Sequence, residues 1–184
     1  MNRRRALGLL VAALPLGACA RRYSVAPDLR LSEPYVLAAG DKLRIIVFGQ
    51  DSLSNIYQID GSGRIAMPLI GPVPVGGLTT AGAAGAIEAK LRAGFVREPK
   101  VTVEVDTYRP FFILGEVTNS GQFPFVNGAT VQTAVAIAGG FTPRAARDFA
   151  ELTRRTPRGI VVGDVPITYP IRPGDTIVIK ERWF

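Results

Sequence analysis

The stretch that decides the fold reads LAAGDKLRIIVF, residues 37–48. Its second half is apolar and rich in β-branched residues, which predicts a strand. Gly40 and Asp41 come directly before that half and predict the turn that leads into it. A similar pair, Gly174 and Asp175, precedes another apolar run near the other end of the chain. We interpret both pairs as one recurring turn device that introduces a strand.

Two short helices are predicted on either side of the middle of the chain. The first runs from about Ala81 to Ala93, with Thr79 or Thr80 as its N-cap, because the side chains of these residues can accept a backbone hydrogen bond. The second runs over residues 131–138, follows a capping threonine, and ends at a glycine pair that can adopt the left-handed conformation. Both have apolar faces that predict packing on a sheet.

The strands follow from period-two patterns and apolar runs. Valine alternates with polar residues over 101–106, as in a half-buried strand. A glycine-rich turn at 61–63 predicts a hairpin between residues 57–60 and 64–68. Taken together, the elements predict an α+β fold of two small mixed β-sheet domains, each with one helix. Further strands are predicted at residues 111–117, 149–154, 160–162 and 177–180.

The N-terminus has the order of a secretory signal. A basic start, a short apolar run and two small residues follow one another over residues 1–18. The apolar run is shorter than the roughly 20 residues that a membrane-spanning helix needs. The following Cys19 completes LGAC, which looks like a bacterial lipobox, with a chance cysteine near an ordinary signal site as the alternative. We therefore predict a signal peptide at 1–18, lipidation of Cys19 and a tether over 19–34.

Composition excludes several classes of active site. The chain has no histidine and one cysteine, which rules out a Ser-His-Asp triad, a Cys/His dyad and an ordinary zinc site. A glycosidase with two carboxylates stays open in principle, but Asp60 and Glu116 lie at turns, where acidic residues are usually solvated. The formal charge of +7 falls to about +4 once the three arginines of residues 3–5 leave with the signal. No basic stripe predicts nucleic-acid binding. We expect no metal site.

The order of the motifs resembles the outer-membrane polysaccharide export family. Residues 37–43, 60–65 and 68–71 resemble its polysaccharide export domain, assigned here to 35–107. Later motifs resemble the β-grasp-like SLBB domain, assigned to 108–184 with a closing strand at 173–179. The turns that carry the two resemblances are Gly40, Asp41, Gly115, Gly121, Gly139 and Gly140.

The resemblance implies a lipoprotein on the periplasmic face of the outer membrane. Copies would form a homo-oligomeric ring that conducts capsule or exopolysaccharide and docks on an inner-membrane co-polymerase. The resemblance also implies no catalysis and no cofactor. Because only one SLBB-like unit is present and no amphipathic helix follows it, we expect a short form that needs a separate outer-membrane β-barrel. The alternative is a periplasmic glycan-binding or sensing lipoprotein that acts as a monomer.

Two residues enter the second domain as candidates for a contact site. Tyr108 places an aromatic ring beside the cation of Arg109, and such a pair can stack on a sugar or on a neighbouring subunit. We predict a glycan or subunit contact at these two residues, with a hinge pair as the alternative.

Overall fold

Two separate hydrophobic cores divide the described chain, which comprises residues 34–156 and 159–182 of a computed structural model. The first core collects buried side chains from Leu37 to Val103, and the second from Phe111 to Ile179. The predicted signal peptide, Cys19 and the tether up to residue 33 lie outside the described residues.

The first unit is built on three antiparallel strands. β1 lies between β2 and β5 in one sheet, while β3 and β4 form a separate two-stranded hairpin. Leu43, Ile45 and Val47 alternate along β1 and are all buried, so one face of the sheet closes the first core. The elements in chain order are β1 (Lys42–Val47), a short 3-10 helix (Asp51–Leu53), β2 (Asn55–Gln58), β3 (Arg64–Met67), β4 (Gly71–Pro74), α1 (Thr80–Arg92) and β5 (Val101–Thr107).

The second unit contains a five-stranded mixed sheet in the order β7-β6-β10-β8-β9. Its central strand β10 runs parallel to β6 and antiparallel to β8. Helix α2 contributes Val131, Ala134 and Val135 to the second core. The elements are β6 (Phe111–Gly115), β7 (Gly121–Phe123), α2 (Val131–Ile137), β8 (Phe149–Thr156), β9 (Gly159–Pro166) and β10 (Thr176–Ile179).

Both predicted helices form, and both begin at a capping threonine. Thr79 accepts a hydrogen bond from the backbone N–H of Gly82, and Thr130 accepts one from Thr133. Each bond satisfies a backbone donor that the helix itself leaves unpaired. Within the described residues, neither helix is long and apolar enough to cross a membrane.

The predicted α+β class is confirmed, but two details of pairing differ. Parallel pairing occurs in the second unit, whereas the described strands of the first unit pair only antiparallel. The hairpin predicted between residues 57–60 and 64–68 is wrong, because β2 pairs with β1 and β3 pairs with β4. The Asp60 carboxylate instead closes a local turn by accepting from the N–H and hydroxyl of Ser62 and from the N–H of Arg64. The Ser62 hydroxyl and these backbone donors lower the pKa of Asp60.

Close packing of β6 against β10 requires a glycine at position 115. Gly115 has a φ of 85°, and a Cβ atom there would lie 2.2 Å from the carbonyl oxygen of Ile179. The same two strands are hydrogen-bonded at this point, since Gly115 is paired with Ile179 in the register. A side chain would therefore separate the strands at the centre of the sheet.

We expect Gly115→Ala to destabilise the protein by about 2–4 kcal/mol, because it adds both backbone strain and a steric clash. The matched control is Gly85→Ala in α1, where a Cβ atom has nothing within 4 Å. This change should stabilise by about 0.5–1 kcal/mol through helix propensity. Urea unfolding measures both, and equal free energies of unfolding in the two variants would contradict the account.

Candidate functional site

A buried carboxylate of the first unit holds the linker that leads into the second. The backbone N–H of Arg109 donates to Oδ1 of Asp41 at 2.9 Å, and its guanidinium Nη1 donates to Oδ2 at 3.1 Å. Asp41 has no exposed surface, and the Arg109 side chain is 22% exposed. Because Arg109 lies two residues before β6, this ion pair joins the first unit to the start of the second.

Further donors complete the environment of Asp41. The hydroxyl of Tyr35 donates to Oδ2 at 2.6 Å, and the backbone N–H of Ala38 donates to the same oxygen at 3.0 Å. Burial, together with the hydrogen bond to Asp41, raises the pKa of Tyr35 well above its usual value. The tyrosine therefore stays protonated and keeps donating. Arg109 also donates to the Tyr35 hydroxyl, and its guanidinium carbon lies 5.5 Å from the centre of the Tyr35 ring.

Aromatic rings continue this junction on its other side. The Tyr108 ring makes an edge contact with Tyr35 at 5.2 Å between centroids, and a second edge contact with Phe125 at 5.5 Å. Edge-to-face geometry is the favoured arrangement for such pairs. Tyr108 and Arg109 thus both contact residues of the described chain. The predicted glycan or subunit contact at these two residues stays a prediction.

The second unit contains a similar turn around Asp175, in which the tyrosine hydroxyl accepts from Arg154 at 3.5 Å. Arg154 donates from Nε to Oδ1 at 2.9 Å and from Nη2 to Oδ2 at 2.7 Å. The backbone N–H of Arg172, three residues before the aspartate, donates to Oδ2 at 2.7 Å, as Ala38 does in the first unit. Burial lowers the pKa of the Arg154 guanidinium, but the hydrogen bonds and the negative charge of Asp175, together with Tyr169, outweigh it, so the pKa is raised.

The two turns also agree in sequence and in backbone. Each reads Tyr, five other residues including a glycine, and Asp: YVLAAGD at 35–41 and YPIRPGD at 169–175. The glycines have φ values of 95° at Gly40 and 83° at Gly174. In each case a guanidinium lies about equally far from the tyrosine ring, at 5.5 Å in the first and 5.6 Å in the second. The interpretation of the Gly-Asp pairs as one turn device is therefore extended to a tyrosine and an arginine.

Arg109 packs against both of these turns. A Cβ atom on Gly174 would lie 2.6 Å from Nε of Arg109, and one on Gly40 would lie 3.5 Å from its Cβ. The backbone N–H of Gly174 also donates to the carbonyl of Pro110 at 3.0 Å. The linker thus contacts a turn from each unit. Gly174 leaves room for the Arg109 side chain, whereas Gly40 is favoured by its positive φ and not by the distance to Arg109.

The remaining motif glycines lie within the second unit. Gly139 and Gly140 follow α2 with positive φ, and their carbonyls accept from the Thr118 hydroxyl at 2.9 and 3.2 Å. A Cβ atom on Gly139 would lie 2.9 Å from Nδ2 of Asn119. Gly121 begins β7. These positions shape turns around the second core, whereas Gly40 and Asp41 take part in the junction.

Both halves of the described chain match known domain families, in order along the sequence. Residues 30–106 match the family described as "Polysaccharide biosynthesis/export protein", and residues 110–169 match the SLBB domain. Arg109 therefore falls between the two matches.

Curated relatives carry names from polysaccharide biology. The chain is 31% identical over 139 residues to "Exopolysaccharide production protein ExoF" of Rhizobium meliloti (strain 1021), which covers 66% of this chain and 33% of that protein. It is 24% identical over 111 residues to "Polysialic acid transport protein KpsD" of Escherichia coli, covering 59% and 20%. The chain thus spans about a third and a fifth of the lengths of these two relatives.

We expect Asp175→Asn to cost about 3–5 kcal/mol, because the Arg154 charge is left without its partner in a buried site. Asp41→Asn should cost less, about 1–3 kcal/mol, because Arg109 is partly exposed and can recover hydration. Urea unfolding gives both values. The control is Asp51→Asn at an exposed position of the 3-10 helix, where a change within about 0.5 kcal/mol is expected.

Hydrogen exchange separates the two roles of these aspartates. Asp41→Asn should speed exchange at the amides of Ala38 and Arg109, which both donate to the replaced carboxylate. Asp175→Asn should leave these amides protected and speed exchange at Arg172 instead. If Asp41→Asn and Asp175→Asn are as stable as the Asp51→Asn control, and amide exchange at residues 38, 109 and 172 is unchanged, the two carboxylates do not hold the turns.

Proposed function

Because the chain belongs to the polysaccharide export family, in which a polysaccharide biosynthesis/export domain precedes an SLBB domain, we propose that it works in the export of a polysaccharide. The ordered pair of domain matches is the observation that carries this proposal. The names of ExoF and KpsD, which refer to exopolysaccharide production and polysialic acid transport, support it.

The proposed working form is a homo-oligomeric ring that conducts the polymer through the periplasm. A closed ring needs each subunit to present its contact surfaces at a fixed angle to its neighbours. The bonds of Asp41 to Arg109 favour such an arrangement, because they tie the two units of one subunit together. A chain that stays monomeric in mild detergent would instead favour the glycan-binding or sensing alternative.

The proposal includes a location and three sets of partners. The chain is held on the periplasmic face of the outer membrane by lipid on Cys19. The polysaccharide is its cargo, an inner-membrane co-polymerase supplies that cargo, and a separate outer-membrane β-barrel receives it. Support for the location and the protein partners comes from the lipobox and the motif resemblance.

Deletion of the gene is expected to abolish secreted or surface polysaccharide while polymer synthesis at the inner membrane continues. Extracellular and cell-associated polysaccharide are measured separately, with the wild-type gene returned in trans as the control. Polymer that accumulates inside the cell and is released again on complementation supports export. Unchanged extracellular polymer would contradict the proposal.

Replacement of Cys19 by Ser should abolish incorporation of labelled palmitate, because the lipid is attached through the thiol. The variant should also lose firm attachment to the outer membrane, since stable anchoring needs two or more acyl chains. Labelling and membrane fractionation are compared with the wild-type chain. Equal labelling would disprove the lipobox, and an unlabelled variant that still fractionates with the outer membrane would show that a protein partner holds it there.

A further inference from the structure

The hairpin of β8 and β9 extends beyond the rest of its sheet. The two strands pair with each other from Phe149 opposite Pro166 to Thr156 opposite Gly159. The neighbouring strand β10 pairs with β8 only over residues 151–153. Residues 153–156 and 159–162 are called the arm here: its first pair, Thr153 and Val162, still borders β10, and its other three pairs extend beyond that strand.

The two faces of the arm differ in character. On the inner face, the Arg154 side chain is 4% exposed and is held by Asp175, and Val161 packs against the second core. On the outer face, Ile160 is 64% exposed and Val162 is 55% exposed. The ion pair of Arg154 thus stabilises the inner face of the arm, while Ile160 and Val162 are exposed on the outer face beside Arg155.

The outer face of the sheet beside the arm is mixed in character. The register places Phe112, Thr176, Thr153 and Val162 opposite one another in a single row across four strands. Phe112 is 39% exposed. Exposed apolar side chains therefore lie at the two ends of this row, with two threonines between them.

The edge strand β9 has few of the charged residues that usually prevent a strand of another molecule from pairing with a sheet edge. β9 is an edge strand of eight residues, GIVVGDVP. Edge strands normally carry lysines or other charges that discourage another strand from adding to them. The charged residue of β9 is Asp164, and it is already paired with Lys180 at 2.9 Å. The β9 edge therefore presents both backbone hydrogen-bonding groups and apolar side chains to a partner.

We propose that the arm is one half of the contact between neighbouring copies, with the β9 edge of one copy pairing with the β5 edge of the next. This inference rests on the proposed ring. A ring of more than two subunits needs two different surfaces that fit each other on every copy. A second copy of this chain is therefore the occupant to which the arm is assigned.

Strand length selects β5 as the surface that the arm meets. Among the described sheets, the other edge strands are short: β7 has three residues, and β2, β3 and β4 have four each. β5 lies at a sheet edge and has seven residues, close to the eight of β9. β5 carries two exposed acidic residues, of which Asp106 is paired with Arg44, so Glu104 is the carboxylate that the exposed Arg155 of the arm can meet. The N–H of Val101 at the start of β5 already donates to Glu88, so the pairing is assigned to the residues that follow it.

The test compares two variants of the full chain purified in mild detergent. Ile160→Lys combined with Val162→Lys places two charges on the outer face of the arm, and association should weaken at least tenfold. Val126→Lys is the matched control, because Val126 is 53% exposed in a loop outside the sheet, and its oligomer should be unchanged. Light scattering gives the size, and circular dichroism checks the fold.

A photoreactive amino acid at position 160 tests the contact without charged substitutions. We expect cross-linked products at multiples of the chain mass, with the link mapped to residues 101–107 of another copy. Links to other sites, or products that join the chain only to a different protein, overturn the inference. An arm variant that keeps the wild-type oligomer also overturns it while the proposed ring stands, whereas a monomeric wild-type chain contradicts the ring itself.

Discussion

The arrangement of the two units depends on the hydrogen bonds and the ion pair that the Asp41 carboxylate forms with Arg109. A charge removed entirely from water is costly unless it is paired and hydrogen-bonded. Asp41 is completely buried, and its donors come from Tyr35 and Ala38 in the first unit and from Arg109 in the linker. The first unit therefore satisfies its own turn only when the linker is in place, so the strand that enters the second unit starts from a defined point.

The same turn chemistry serves a different purpose in the second unit. Around Asp175 the arginine comes from β8 of the same sheet, so the ion pair fixes a strand within one unit rather than joining two units. What changes between the two sites is the origin of the arginine. One turn thereby sets the relation between domains, and the other supports the arm and its exposed outer face.

Local patterns in the sequence were sufficient for the elements but not for their partners. The alternation of valine over 101–106 predicted β5, and the threonines before each helix predicted where α1 and α2 begin, because these signals depend on neighbouring residues only. The pairing of β2 was missed because the turn at Asp60 is satisfied by its own residues and does not need the two flanking segments to pair.

The Gly-Asp turns were recognised, but their arginines were not. Arg109 is 68 residues from Asp41, and Arg154 is 21 residues from Asp175. Only the folded chain brings such pairs together.

The position of β10 also has a consequence for the order of folding. This strand follows the other strands of its sheet in the chain, yet it lies at the centre and links β6 to β8. When a chain emerges with its N-terminal end first, the β6–β7 and β8–β9 hairpins cannot join into one sheet until residues 176–179 have emerged and formed β10. Contacts between distant segments of this kind form slowly, because the chain loses entropy on loop closure before the contacts can stabilise it. The first unit can fold while the rest of the chain is still emerging. The second unit can complete its sheet only after β10 has emerged, so its apolar side chains stay accessible to chaperones and proteases until then.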